Sequence, residues 1–287
     1  MRKTQSMKVV TSVVELKREL DKYRLNGKKI GFAPTMGALH SGHISLIEAA
    51  HKNRNVSVCS IFVNPSQFNN AEDLHKYPRT LKADQKLLKR AGLDILFAPP
   101  VDEIYPKGLN TKLLLDLRGL DKVMEGKFRP GHFEGMVQVV KRLLDIVQPD
   151  SIYMGQKDFQ QFTIVQYMIE SLNIPTDLVI CPIIREEDGL AMSSRNVRLS
   201  QEFRKIAPVI FKTLKWAKSN RNKLSIAEIK TQAKVKLEAA GLMPEYVEIV
   251  NAETLKGVRK LNQQHKTVIC VAAWAGEIRL IDNIYFS

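Results

Sequence analysis

Ile30-Gly31-Phe32-Ala33-Pro34-Thr35-Met36-Gly37-Ala38-Leu39-His40-Ser41-Gly42-His43 carries an apolar strand into a glycine loop and a helix. Its first six residues make an apolar run of strand length, and a helical pattern takes over from about Gly42 to Asn53. A nearly continuous apolar strand handed to a helix through a glycine loop opens a parallel βαβ unit, because a strand covered on both faces shows no polar phase. The alternation continues outward. Strands are expected over residues 56–63, 94–98, 152–154 and 178–181, and helices over 81–91, about 135–147 and 159–172. Upstream, Ser12-x-x-Glu15 has capping-box spacing and opens a helix that Asn26-Gly27 stops.

After about Asp188 the texture changes. Two Lys-rich helical stretches, about 201–219 and 225–240, precede strands over 246–250, 267–274 and 278–284, and Ala275-Gly276-Glu277 is hairpin-like. The fold expected is α/β: a Rossmann-like, doubly wound parallel sheet over residues 1–187, with a smaller α+β C-terminal domain over 188–287 closing over the site.

Three clusters carry chemistry. The Pro34–His43 loop falls at the carboxyl edge of a parallel strand, where such sheets bind ligands. His40 and His43 are spaced to face one point, and the unpaired N–H groups of a helix start favour anions. Two imidazole donors there suit the charge that develops when a phosphoanhydride breaks; the bland alternative is two satisfied histidines in a glycine loop. Gly155-Gln156-Lys157-Asp158 follows the strand at 152–154 and lacks the spacing of a Walker loop. Its lysine is a mobile cation for phosphate and its aspartate a helix cap. Met192-Ser193-Ser194-Arg195 offers hydroxyls and a guanidinium to phosphate oxygens, or simply an N-cap. Weaker features are the amides of residues 62–68, the Gln160-Gln161 pair, and Arg129-Pro130-Gly131-His132.

The composition, 44% hydrophobic and 26% charged over 287 residues with 15 Gly and 12 Pro, excludes a disordered or collagen-like chain. Cys59, Cys181 and Cys270 lie in separate apolar runs, which reads as buried reduced thiols in a cytoplasmic protein. No secretory signal and no membrane span is expected. The net charge of +14 suggests a polyanionic partner, but its distribution argues otherwise. Residues 1–30 hold nine basic and three acidic residues, residues 31–187 hold 18 of each, and residues 188–287 hold 17 and nine. The excess reads as solvated faces that also attract a nucleotide, with no nucleic acid as partner.

The sequence resembles the pantothenate synthetase, or pantoate–β-alanine ligase, family. The resemblance rests on PTMGALHSGH (34–43), IFVNPSQF (61–68), FRPGHFEG (128–135), GQKDFQQ (155–161) and DGLAMSSRN (188–196), in the family's order. It implies an ATP- and Mg²⁺-dependent ligase that joins (R)-pantoate to β-alanine through a pantoyl adenylate, releasing pyrophosphate and AMP, in a homodimer. Carried onto this chain, Met36, Gly37, Ala38, Leu39, His40, Ser41, Gly42 and His43 line the ATP site, with His43 the proton donor and His40 its partner on the phosphates. Gly155, Gln156, Lys157, Asp158, Ile184, Met192, Ser193, Ser194 and Arg195 supply the remaining ATP contacts, Lys157 and Arg195 being the catalytic cations. Gln67 and Gln161 hold pantoate, with Pro34 and Met36 beside them. Gln156 and Met192 stand where many members carry Glu and Leu, at positions that contribute backbone and packing. The resemblance assigns no Mg²⁺ ligand here, although Asp84 on the 81–91 helix is a weak candidate. The competing readings are a nucleotidyltransferase of the same superfamily, which stops after the first transfer, and a nucleic-acid-binding protein, for which no RNA-binding signature is present.

Overall fold

A computed structural model describes residues 6–68, 71–107, 112–261 and 265–286. The chain parts into two compact units: Met1–Lys122, Gly126–Gly155 and Ile164–Cys181 form the first, and Val123–Glu125, Gln156–Thr163 and Pro182–Ser287 the second. In order, the elements up to residue 181 are β1 (Lys8–Val10), α1 (Val13–Leu25), β2 (Ile30–Thr35), α2 (Ser41–Lys52), β3 (Val56–Ile61), α3 (Ala71–Lys76), α4 (Leu81–Arg90), β4 (Ile95–Phe97), α5 (Val101–Ile104), α6 (Met124–Phe128), α7 (His132–Val147), β5 (Ser151–Gly155), α8 (Phe159–Ser171) and β6 (Asp177–Cys181).

The six strands form one parallel sheet in the order β1-β4-β3-β2-β5-β6. The strand order reverses between β2 and β5, so the crevice for a ligand opens at their carboxyl ends, Thr35 and Gly155. Side chains alternate across the sheet. Ala33, Cys59, Leu96 and Tyr153 pack with Leu46, Ile47 and Ala50 of α2 and Leu88 of α4, while the fully buried Phe32 and Val58 lie out of phase with them. β1 was not expected from the sequence; three residues are too few to show a period. Ser12 caps α1 by accepting from the Glu15 N–H at 3.2 Å, while the Glu15 carboxylate pairs with Lys8 at 3.3 Å and the next amide, the Val13 N–H, donates to Glu103 at 2.6 Å.

The second unit carries α9 (Gln201–Ile206), α10 (Val209–Ser219), α11 (Ile226–Ala239), β7 (Met243–Asn251), β8 (Thr267–Ala275) and β9 (Ile278–Tyr285). The expected single helix over 201–219 is two helices parted at Ala207-Pro208. Proline has no N–H to extend the ladder, and Pro208 instead caps α10, its carbonyl accepting from Lys212 at 3.2 Å. β7, β8 and β9 form an antiparallel sheet with Ala275 paired to Ile278, the expected hairpin. Leu214, Ile229, Leu237, Val247, Ile269 and Leu280 join its core.

The three cysteines are free and buried, and burial raises all three thiols, Cys59 to about 12 and Cys181 to about 11. Such thiols stay protonated and unreactive at neutral pH. Among the described residues, no helix is long and apolar enough to cross a membrane.

One close approach fixes where the turn after β3 sits. A Cβ on Gly135 of α7 would stand 2.2 Å from the Ser66 carbonyl oxygen and 2.8 Å from the Gln67 nitrogen. Ala normally gains about 1 kcal/mol over Gly inside a helix, but here the obstacle is backbone. Gly135→Ala should therefore destabilise the protein by about 1–3 kcal/mol, measured as a lower denaturant midpoint at unchanged slope. A stabilised variant would show that the turn yields freely.

Candidate active site

The loop between β2 and α2 is built by satisfying its own backbone. Gly37 and Ala38 both take left-handed conformations, φ +82° and +50°, and a Cβ on Gly37 would press Ile61 Cγ2 at 3.1 Å and Asp84 Oδ2 at 3.2 Å. This reversal turns successive N–H groups inward, and each finds an acceptor. Gly37 donates to Thr35 Oγ1 at 3.3 Å, Ala38 to Asp84 Oδ2 at 3.1 Å and Leu39 to Asp84 Oδ1 at 2.9 Å. The Thr80 hydroxyl lies 3.2 Å from both Asp84 oxygens, and Asp84 is 1% exposed. Asp84, a weak metal-ligand candidate from sequence, is instead the buried carboxylate that shapes this loop.

The helix start is closed by the two histidines themselves. His40 is the N-cap; its Nδ1 accepts from the Gly42 N–H at 3.1 Å, and His43 Nδ1 accepts from the His40 N–H at 3.3 Å. The ring centroids are 4.1 Å apart, so the expected convergence of the pair is met. A backbone N–H can only donate, so each Nδ1 is an acceptor and each neutral ring carries its proton on Nε2. One expectation needs correcting. The N–H groups of this helix start do not wait for an anion: Gly42 is taken by His40 Nδ1, and His43 and Ile44 donate to the His40 carbonyl at 2.8 and 3.2 Å. Beside those amides the loop carries two ring Nε2–H groups and the exposed Ser41 hydroxyl.

A second polar network holds Gln67 in the turn Pro65–Gln67. Asn64 is 1% exposed, and its Oδ1 accepts from the Tyr105 hydroxyl at 2.9 Å and the Ser66 hydroxyl at 3.0 Å. Burial raises the Tyr105 hydroxyl above its ordinary value, keeping it a donor. With Oδ1 so occupied, Asn64 Nδ2 donates to Gln67 Oε1 at 3.2 Å and to the Gly135 carbonyl at 3.2 Å. The buried Gln67 amide is thereby oriented with Nε2 toward Met36, donating to its Sδ at 2.9 Å. His132 pairs its Nδ1 with the Gln67 carbonyl at 2.9 Å and its Nε2 with Arg129 at 3.2 Å, so the 129–132 segment serves this turn. Pro34 and Met36 are half-buried on the same unit.

The other predicted residues belong to the second unit, except Gly155, which ends β5 in the first. Lys157 is half-buried and Asp158 exposed; the Asp158 carbonyl accepts from the Phe162 N–H at 3.1 Å at the start of α8. Of the glutamine pair, Gln160 is buried and structural, donating to the Val123 carbonyl at 2.8 Å and accepting from the Glu125 N–H at 2.9 Å. Gln161 is half-buried. Glu125 also receives Arg279 bidentately at 2.7 and 2.8 Å and the Tyr246 hydroxyl at 2.6 Å. Burial works against the Arg279 charge, but Glu125 and Glu245 hold the guanidinium above its ordinary range. Residues 184–192 form a small hairpin, with Met192 donating to the Ile184 carbonyl at 3.0 Å. The Ser193 hydroxyl accepts from the Arg195 N–H at 3.2 Å in a local turn, and the short helical turn that follows has no side-chain cap, so the N-cap alternative is not realised; Ser194 and Arg195 are half-buried.

Asp84→Asn places an amide where two N–H donors point. It should cost about 1–3 kcal/mol and speed hydrogen exchange at Ala38 and Leu39 while leaving the β7–β9 sheet protected. Unchanged exchange at those two amides would refute the role given to Asp84.

Comparison with known proteins agrees with this architecture. The model of the pantoate-beta-alanine ligase family matches residues 8–285. A pantothenate synthetase of Bacteroides thetaiotaomicron is 46% identical over 281 residues, covering 98% of this chain and 99% of that protein. One from Cytophaga hutchinsonii is 44% identical, covering 96% and 98%. The crystal structure of pantothenate synthetase from Thermus thermophilus superposes with a TM-score of 0.90 at 42% identity, covering 98% and 99%. That of the Francisella tularensis ligase, complexed with a β,γ ATP compound and β-alanine, does so with 0.81 at 34% identity, covering 98% of each chain. A parallel sheet whose switch-point loop ends in paired imidazoles, matched over nearly its whole length, places this chain in the pantoate–β-alanine ligase family.

Proposed function

We propose that this chain condenses (R)-pantoate with β-alanine by way of a pantoyl adenylate, and that the paired imidazoles after β2 handle the triphosphate. As a family member the chain is an ATP-dependent ligase. The pantoate carboxylate attacks the α-phosphate of ATP and pyrophosphate leaves; the amine of β-alanine then attacks the acyl carbon and AMP leaves. The intermediate is needed because a carboxylate resists amines until its oxygen becomes a good leaving group. Holding both reactants together supplies proximity and shields the adenylate from water.

The observation that carries this reading is the His40–His43 arrangement at the sheet's switch point. Fixed as Nε2–H donors by the backbone, the two rings answer the negative charge that builds on the phosphates by hydrogen bonding, with His43, the family's proton donor by resemblance, as the principal group and His40 beside it. Met36, Gly37, Ala38, Leu39, Ser41 and Gly42 complete that side of the ATP site. Lys157 and Arg195 add mobile and planar cations, with Gly155, Gln156, Asp158, Ile184, Met192, Ser193 and Ser194 as the further ATP contacts. Gln67 and Gln161 hold pantoate, next to Pro34 and Met36. The orientation of the Gln67 amide supports this, since its Nε2 is a donor suited to the carboxylate or hydroxyl oxygens of pantoate. In this reading residues 1–187 bind ATP and pantoate and residues 188–287 are the smaller domain, although Gln156–Thr163 and residues 182–187 belong to the second compact unit.

Mg²⁺ belongs to this reading as the companion of ATP. Among the described residues no group of three or more His, Cys, Asp or Glu is set to hold a metal, and both Asp84 oxygens serve backbone N–H groups. The described residues therefore do not form a metal cage, and no step is assigned to the ion. Mg²⁺ commonly keeps waters and phosphate oxygens as most of its ligands. Buried, reduced thiols support a cytoplasmic location, and a homodimer is the assembly the family resemblance implies.

The test is product analysis with ATP, pantoate and β-alanine. Pantothenate and AMP should form together and only when both acids are supplied. Nucleotide retained in the product would indicate a nucleotidyltransferase instead. His43→Ala should slow adenylate formation by about 10²–10⁴-fold with the fold intact by circular dichroism; near-normal turnover would remove His43 from the chemistry.

A further inference from the structure

β9 carries two adjacent buried polar residues between Leu280-Ile281 and Ile284, Asp282 and Asn283, 3% and 2% exposed. Neighbouring residues of a strand point to opposite faces, so the pair serves two different partners. Asp282 shares its phase with Ile278 and Leu280, which join the core of the second unit. Its carboxylate receives Arg185 bidentately, at 2.6 Å from Nη1 and 2.9 Å from Nη2. Arg185 also donates to the Gly189 carbonyl at 3.1 Å and lies over the Phe211 ring at 3.6 Å. That clamp fixes the 184–192 hairpin, whose two ends are Ile184 and Met192. Asn283 lies in the opposite phase, with Arg279 and Tyr285. Its Nδ2 donates to the carbonyls of Gln156 and Lys157, both at 3.0 Å, and its Oδ1 accepts from Gln156 Nε2 at 3.1 Å. The Gln156 side chain is thus engaged by the same amide that holds its own carbonyl.

We propose that the Asp282–Asn283 pair is the positioning element for the ATP-binding segments of the second unit. Asn283 sets the backbone from which Lys157 extends, and Asp282, through Arg185, sets the hairpin that delivers Met192, Ser193, Ser194 and Arg195. Neither residue is a catalytic group. Two adjacent positions on one strand fix two cation-bearing segments that are separated by about thirty positions in the chain. The inference rests on the reading of Lys157 as an ATP ligand.

The experiment is steady-state kinetics on the full-length enzyme carrying Asn283→Asp, which turns the donor into a carboxylate facing two carbonyls. Asn283→Ser is a milder second variant. Each should raise KM for ATP by about tenfold to a hundredfold, with KM for pantoate and β-alanine unchanged within about twofold and thermal unfolding still cooperative. Asp282→Asn should behave alike. A merely structural role would instead lower the amount of active enzyme and leave all three KM values alone. Folded Asn283 variants with unchanged KM for ATP, beside a Lys157→Ala enzyme impaired in ATP use, would overturn the inference alone. An unimpaired Lys157→Ala enzyme would overturn the assignment of Lys157 and the inference with it.

Discussion

Residues 37–44 must reverse the chain at the end of a buried strand, and there the backbone can leave almost no N–H unpaired. This chain meets the constraint with side chains. Thr35 takes Gly37, Asp84 takes Ala38 and Leu39, His43 takes His40, and His40 takes Gly42. The consequence is chemical as well as structural. A glycine loop that keeps its N–H groups outward binds phosphate through the backbone, as Walker-type loops do. Here the Gly37, Ala38, Leu39, His40 and Gly42 amides are occupied, and two of them dictate the tautomers of the imidazoles. A buried carboxylate on α4 and two histidine nitrogens thus decide what the end of β2 presents, which is the ground for the nucleotide site proposed above.

The same device recurs around Gln67 and β9. Tyr105 and Ser66 occupy Asn64 Oδ1, which leaves Asn64 to donate to Gln67 and turns the donor side of the Gln67 amide toward Met36. On β9, Asp282 and Asn283 each satisfy a segment from elsewhere in the second unit. In each case a fully buried polar group costs stability if left unpaired, by about 1–3 kcal/mol, and the pairing holds a functional side chain in one orientation. Such networks specify geometry because a partly satisfied arrangement is penalised.

How much of this was legible in the sequence depends on range. The strand Ile30–Thr35, the helix after it and the His40–His43 spacing are local, and apolar period with glycine placement revealed them. Gln160 and Gln161 were indistinguishable, because which one is buried depends on how the start of α8 faces Val123 and Glu125. The partners of the loop are 45 and 46 positions away at Asp84, and those of Gln156 and Lys157 are 127 and 126 positions away at Asn283. A single sequence carries no signal for such pairings, yet it does carry a hint that a buried polar group exists. Asp84 lies one helical turn before the fully buried Leu88, on the apolar stripe of α4, and Asp282-Asn283 interrupts an apolar strand. Acids and amides in such places are hydrogen-bonded to something, and the structure names it. The break at Pro208 was visible in the residue itself but outweighed by the helical pattern around it.

If the paired amides at Ala38, Leu39, His40 and Gly42 leave two Nε2–H imidazoles to face ATP, nitrogen-15 NMR of the histidine side chains will reveal it, recorded in the free protein and on addition of ATP. Nδ1 should be unprotonated and Nε2 protonated in both His40 and His43, with the Nε2–H signals shifting as nucleotide binds while the Ala38 and Leu39 amides move little. An Nδ1–H tautomer in either ring, or ATP-induced shifts confined to those amides, would rule this arrangement out.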